Sequence, residues 1–193
     1  YSGIFHGQGH TISGLHSESS SQFAGLFGYT TSSAKIQEVG VTDSYMKAES
    51  FTGGICGNNS GAIINCYCTR SVVDASSYAG GIAGTNSTAV TNCYTSASVY
   101  GDSYIGGVCG SSSGTVSNCY YLKESAITSS AVVQNGIGAS SGTTTDTDNK
   151  TIPKTLDEFY SGEVAYLLQK YNSTQVWGQQ SNTKHSSPVF DYT

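Results

Sequence analysis

The chain has 193 residues, of which only 11% are charged, and carries a net charge of −5. That length can bury one sizeable core, while the acidic balance and the single arginine, Arg70, exclude the basic surface that nucleic acid requires. No apolar run reaches the ~18 residues of a membrane-spanning helix.

Residues 1–22 read as an irregular first rung, with Phe5, Ile12 and Leu15 as core positions and Gly7, Gly9 and Gly14 as bends. Its histidines, His6, His10 and His16, lack the helical spacing or companion carboxylates of a metal site, so a hydrogen-bonded structural role is expected. The chain opens in mid-pattern at Tyr1, without a leader or an initiating Met, and reads as a piece of a longer protein.

Residues 23–122 say one thing four times. Gly54–Tyr67 is GICGNNSGAIINCY, Gly81–Tyr94 is GIAGTNSTAVTNCY, Gly107–Tyr120 is GVCGSSSGTVSNCY, and Gly25–Gly40 is a looser copy, GLFGYTTSSAKIQEVG. Gly57 to Gly84 is 27 positions and Gly84 to Gly110 is 26; Cys66, Cys93 and Cys119 keep the same steps. A period of this size marks a stacked repeat whose units cannot bury their apolar faces alone. The apolar dashes are too short for helices. They sit among Thr and Tyr, which favour strands. At ~3.3 Å per residue a unit accommodates about three short strands, whereas a propeller blade needs ~40 or more residues. The sequence therefore predicts an all-β fold: a parallel β-solenoid, a right-handed β-helix, of about four to five rungs.

Alignment of the copies gives columns. Leu26, Ile55, Ile82 and Val108 form one; Ile36, Ile63, Val90 and Val116 a second; Val39, Cys66, Cys93 and Cys119 a third. Val41, Cys68, Thr95 and Tyr121 share the third column's face by alternation. Asn65, Asn92 and Asn118 should form a hydrogen-bonded ladder in left-handed backbone, ending where Glu38 takes their place. Phe23, Phe51, Tyr78 and Tyr104 make an aromatic column. Tyr67, Tyr94 and Tyr120, at the position of Gly40, alternate with the third column and should point outwards, as a flat strip able to seat sugars or a partner protein. The six cysteines interchange with Val, Phe, Ala and Thr between copies, so they are expected as buried free thiols. Cys56 and Cys109, two rungs or ~9.6 Å apart, lie too far apart to bridge.

Residues 123–150 break the period. Ala131–Val133 and Gly136–Gly138 could form a strand pair about Asn135-Gly136, in an otherwise Ser/Thr/Gly-rich loop. Asp146 and Asp148 supply half of a calcium-loop pattern, without its glycine and distal glutamate; a solvated loop is the expectation, with calcium as its alternative. In residues 151–193, Thr155-Leu-Asp-Glu158 is a capping box. Val164, Leu167, Leu168 and Tyr171 line one face of a helix, which should cap an end or a side of the solenoid. Trp177 and Phe190 should pack beneath the tail.

The repeats resemble the GLUG-motif family through Gly25-Leu26-Phe27-Gly28, with Ile55, Ile82 and Val108 replacing Leu in later copies. The lead-in Gly7–Leu15 and the tail Ser161–Leu168 with Trp177-Gly178-Gln179 are similar to segments flanking such repeats. The resemblance implies a secreted or wall-attached bacterial protein, of adhesin type or from the non-catalytic region of an IgA-specific metallopeptidase. It supplies no catalytic residues.

No HExxH or nucleophile elbow occurs. A polysaccharide-active β-helix would need clustered carboxylates, and the candidates are Asp43, Asp74 and Asp102, in comparable late-rung loops. The expectation is a chain that is not an enzyme and has no cofactor. It would be a monomeric part of a longer multidomain chain, binding a glycan or a host surface protein through Tyr67, Tyr94 and Tyr120, or serving as a plain stalk.

Overall fold

The structure, a computed structural model, describes residues 1–20, 22–128, 132–133, 135–139, 151–179 and 186–191. Short parallel strands stack turn upon turn into a β-solenoid of about 5 turns. Each turn returns residues 26 or 27 positions apart to adjacent places, as in Ile63 beside Val90 and Val90 beside Val116. Residues 1–18 form the first turn: the strand Ile4–Ser13 pairs in parallel with Lys35–Thr42, placing Phe5 beside Ile36 and Ile12 beside Val41.

The core is a set of single-file columns. Ile36, Ile63, Val90 and Val116 are buried in register. So are Cys68 and Thr95, with Val41 below and Tyr121 above. Met46, Val73, Val99 and Ala126 fill a third wall. Cys66, Cys93 and Cys119 also lie in file: the Cys66 N–H reaches the Cys93 sulfur at 3.4 Å, and the Tyr120 N–H donates to the Cys93 carbonyl. All six cysteines are free and buried.

The second glycine of each repeat motif answers a steric demand. A Cβ at Gly84 would stand 2.5 Å from the Gly57 carbonyl oxygen and 2.7 Å from that of Tyr78. Tyr78 and Tyr104 hold φ of 59° and 56°, so the chain corners tightly against that glycine.

Two polar ladders run along the stack. In one, the Asn118 amide donates to the Asn92 carbonyl oxygen and the Asn92 amide to that of Asn65, with φ of 49°, 57° and 51°. Glu38, also at positive φ, ends this row and meets His6 instead, at 2.9 Å. The other ladder lies wholly inside. Thr30 donates to Asn59 at 2.8 Å, Asn59 to Asn86 at 2.8 Å, and Asn86 to Ser112 at 3.1 Å. The same side chains close the following turns, as where the Gly61 N–H donates to the Asn59 side-chain oxygen.

The solenoid continues past the regular copies. Ala126–Thr128 joins the wall of Val99, Ile137–Ala139 stacks on Cys109–Ser112, and Thr151–Lys154 on Cys119–Leu122. The expected hairpin about Asn135-Gly136 is therefore corrected. Val132–Val133 pairs antiparallel with Ala126–Thr128, while Ile137 takes the next place above Cys109, because the wall has an open edge there that a parallel strand can extend. Asp146 and Asp148, with the calcium alternative, lie outside the described residues, as does Ala131.

Beyond Lys154 the chain folds into a cap. Helix α1, Leu156–Tyr160, starts on the Thr155/Glu158 capping box. Gly162 at φ 90° separates it from helix α2, Glu163–Gln169. Val164 and Leu168 are buried, but Tyr171 is 67% exposed and lies past the helix end, so the expected four-residue face stops at Leu168. Trp177–Gln179 pairs with Pro188–Phe190, and Trp177 stacks on Phe190 at 4.8 Å. Lys154, on the last described turn, ties the cap down through Glu158 at 3.0 Å and Glu163 at 2.5 Å.

Candidate functional sites on the flanks

The tyrosine column is where the sequence places it, and it is covered. Tyr67, Tyr94 and Tyr120 are 7%, 1% and 2% exposed. Tyr67 and Tyr94 stack at 5.2 Å with 19° between planes. Over them lie Phe159, 5.7 Å from Tyr94, Trp177, 5.6 Å from Tyr94, and Phe190, 5.2 Å from Tyr67. The Tyr94 hydroxyl donates to the Pro188 carbonyl at 2.5 Å, and the Tyr67 hydroxyl meets Thr11 Oγ1 at 2.6 Å. Burial raises the Tyr94 phenol and pushes that of Tyr120 up to about 12. The expectation of an open ligand platform at Tyr67, Tyr94 and Tyr120 is corrected: the outward phase is right, but the cap's apolar side chains occupy it. Alternation along a strand fixes which way a side chain points and says nothing of what a later segment lays over it.

The open aromatic row is the other column. Phe23 and Phe51 stack at 5.2 Å, Phe51 and Tyr78 at 4.8 Å, and Tyr78 and Tyr104 at 4.5 Å. Tyr104 is 45% exposed and the other three are half-buried. Tyr29 abuts Phe23 at 6.3 Å and opens a parallel row of outward side chains in register, Tyr29, Asn58, Thr85 and Ser111. Successive rings face each other, so the row offers solvent mainly ring edges and hydroxyls.

The carboxylates do not gather. Asp43 faces Arg70 of the next turn, which donates to it from Nε and Nη2, each at 2.8 Å. That pairing holds the Asp43 carboxyl down at about 2. Asp74 lies beside Lys47, its ion-pair partner at 3.1 Å, and beside Tyr100. The expected alignment of Asp43, Asp74 and Asp102 is corrected, because equivalent places fall 26–27 residues apart and these three do not keep that step. The histidines separate too: His6 pairs with Glu38 and His16 stacks on Tyr45 at 5.3 Å. Among the described residues no cluster of three or more His, Cys, Asp or Glu could hold a metal ion. Burial pushes the Cys56 and Cys68 thiols up to about 12, far from the reactive thiolate.

A cleft of about 510 Å³ opens between the solenoid and the cap. Its floor holds Thr42, Thr69 and Ser96, its inner wall Tyr67 and Tyr94, its outer wall Leu156, Phe159 and Tyr160, and Arg70 stands at its edge. A second cavity of about 400 Å³ lies along Asn65, Asn92 and Asn118, with Tyr171 and Asn172 across from them. Neither was anticipated. The step from Tyr67 and Tyr94 to Thr69 and Ser96, two positions on, was the available signal.

Together these features define a capped parallel β-solenoid, with one flank covered by the cap and another carrying a row of rings that, among the described residues, stays partly exposed. No known family profile matches the sequence, and no curated protein matches it. Among solved structures, the crystal structure of a "putative immunoglobulin A1 protease" from Bacteroides ovatus is similar, with a TM-score of 0.59 at 16% identity, covering 98% of this chain and 77% of that one. At that identity the likeness establishes the fold. The expectation that this chain is not an enzyme is corrected here. A protein of the same fold carries a protease's name, so the lack of a familiar motif is no ground for that exclusion, and it is withdrawn.

Proposed function

We propose that this chain is a rigid module of a secreted or wall-attached bacterial surface protein, of GLUG-repeat type, and that it adheres to a host surface protein. The observation that carries this reading is the partly exposed stack Phe23–Phe51–Tyr78–Tyr104, held at rung spacing on a backbone paired turn to turn. Large rings fixed in place lose little freedom on binding. Because each ring covers its neighbour's face, a sugar has little face to stack on, whereas a protein surface can meet edges and hydroxyls along the row. The protein of like fold from Bacteroides ovatus bears the name of an immunoglobulin A1 protease, and a host protein as the partner is in keeping with that name.

The test is binding of the intact chain to immobilised immunoglobulin A1 and mucin, each with and without enzymatic deglycosylation. The Phe51→Ser/Tyr78→Ser/Tyr104→Ser variant is expected to lose at least tenfold in affinity, with deglycosylation making little difference. Equal binding by a folded variant removes the ring row from the function, and no binding by the parent chain leaves a stalk. Electrophoresis of the same incubations reads out cleavage.

A further inference from the structure

The cleft beside the cap is independent of the ring row and has a different chemistry. It arises from a step in side-chain height. Tyr67 and Tyr94 stand tall in one outward column, and two residues on, Thr69 and Ser96 stand short in the same phase, with Thr42 on the turn below. On the last turns the tall column continues as Tyr120 while the short one becomes Leu122, which closes the groove with an apolar end. Leu156 and Tyr160 of the cap form the facing wall, with Phe159 buried behind them.

The floor hydroxyls are oriented. Thr69 Oγ1 donates to Thr42 Oγ1 at 3.3 Å, and Thr42 Oγ1 donates to Asp43 Oδ2 at 3.1 Å. With its proton committed, Thr69 Oγ1 is left to act as an acceptor. The charges at the edge cancel, since both carboxylate oxygens of Asp43 are taken by Arg70. A neutral ligand therefore enters without displacing an ion pair, whereas an anion must compete with Asp43 for the guanidinium.

We infer that this groove binds an uncharged oligosaccharide, its hydroxyls on the Thr69–Ser96 row and its carbon–hydrogen faces against Tyr160 and Leu156, apolar liners that reach solvent. Hydroxyls spaced by one turn, ~4.8 Å, suit a chain of sugar rings laid along the solenoid axis. A volume of about 510 Å³ is within the usual range for small-molecule sites.

The experiment is an NMR titration of the intact chain with lactose, cellotetraose, chitotetraose and sialyllactose. At least one neutral sugar is expected to give saturable shifts centred on Thr69, Ser96 and Tyr160. Thr69→Val, which keeps the shape and removes the hydroxyl, should weaken it tenfold or more, as should Ser96→Leu, which fills the groove. The ring-row triple variant should bind the sugar like the parent, which separates this site from the adhesive one. Three results would overturn the inference: no saturable shift at these residues with any neutral sugar, binding of sialyllactose alone, or undiminished binding by folded Thr69→Val.

Discussion

Replacing Asn92 tests the ladder that links solenoid and cap. Its side-chain amide donates to Asn65, its carbonyl oxygen accepts from Asn118, and its backbone sits at φ 57°. Asn92→Ala removes both side-chain hydrogen bonds, at about 1 kcal/mol each, and forces a Cβ-bearing residue without a local polar group into the left-handed region, at roughly 1 kcal/mol more. The sum is about 3 kcal/mol, or a fall in melting temperature of roughly 6–12 °C for a chain of this size. Asn92→Gly loses the same bonds but relaxes the backbone, so about 2 kcal/mol is expected. Thermal melts followed by circular dichroism measure the solenoid, while fluorescence of the single tryptophan, Trp177, whose Nε1 lies 3.3 Å from Asn65 Oδ1, reports the cap. Alanine and glycine variants that both melt with the parent would refute the ladder's energetic role, and a glycine variant less stable than the alanine one would refute the backbone argument.

Gly40→Ala should destabilise by roughly 1–3 kcal/mol or more, because its Cβ would stand 2.1 Å from Tyr67 Cζ; adding Tyr67→Ala should recover part of that loss in urea titrations. The six thiols should resist Ellman's reagent in the native state and all react in denaturant, given that all are buried and that burial raises the Cys56 and Cys68 thiols; rapid native labelling would contradict the core packing. Glu158 is held at about 2, against an ordinary 4.5, by the Thr155 backbone N–H and by Lys154. Its contribution is thus present above about pH 4.5 and lost as pH falls towards 2, so the melting temperature should decline across that window, and less steeply in Glu158→Gln.

The repeat was legible because the columns are chemically pure: Ile63 over Val90 over Val116, or Cys66 over Cys93 over Cys119, can be aligned by eye. The inner ladder was not, because Thr30, Asn59, Asn86 and Ser112 share a place without sharing a residue type, and only the observed bonds unite them. Capping box and helix were local and legible. Their landing place on Tyr67, Tyr94 and Tyr120 was not, since it depends on apolar groups far apart in the chain, such as Tyr94 and Phe159. The same distance hid the sugar-sized groove, one of whose walls belongs to α1. The partly exposed ring row was visible as a column, yet nothing local told it from the one that the cap conceals.

The two ladders have opposite polarity. Donors in the inner one point from Thr30 towards Ser112, and in the outer one from Asn118 towards Asn65. Their side-chain dipoles therefore run counter to each other along the axis. A turn that slipped by one residue would pull its side chains out of both files at once, leaving the donors and acceptors on either side without partners. Like a ratchet tooth, this arrangement makes registry errors costly in a chain whose repeats are otherwise similar enough to trade places.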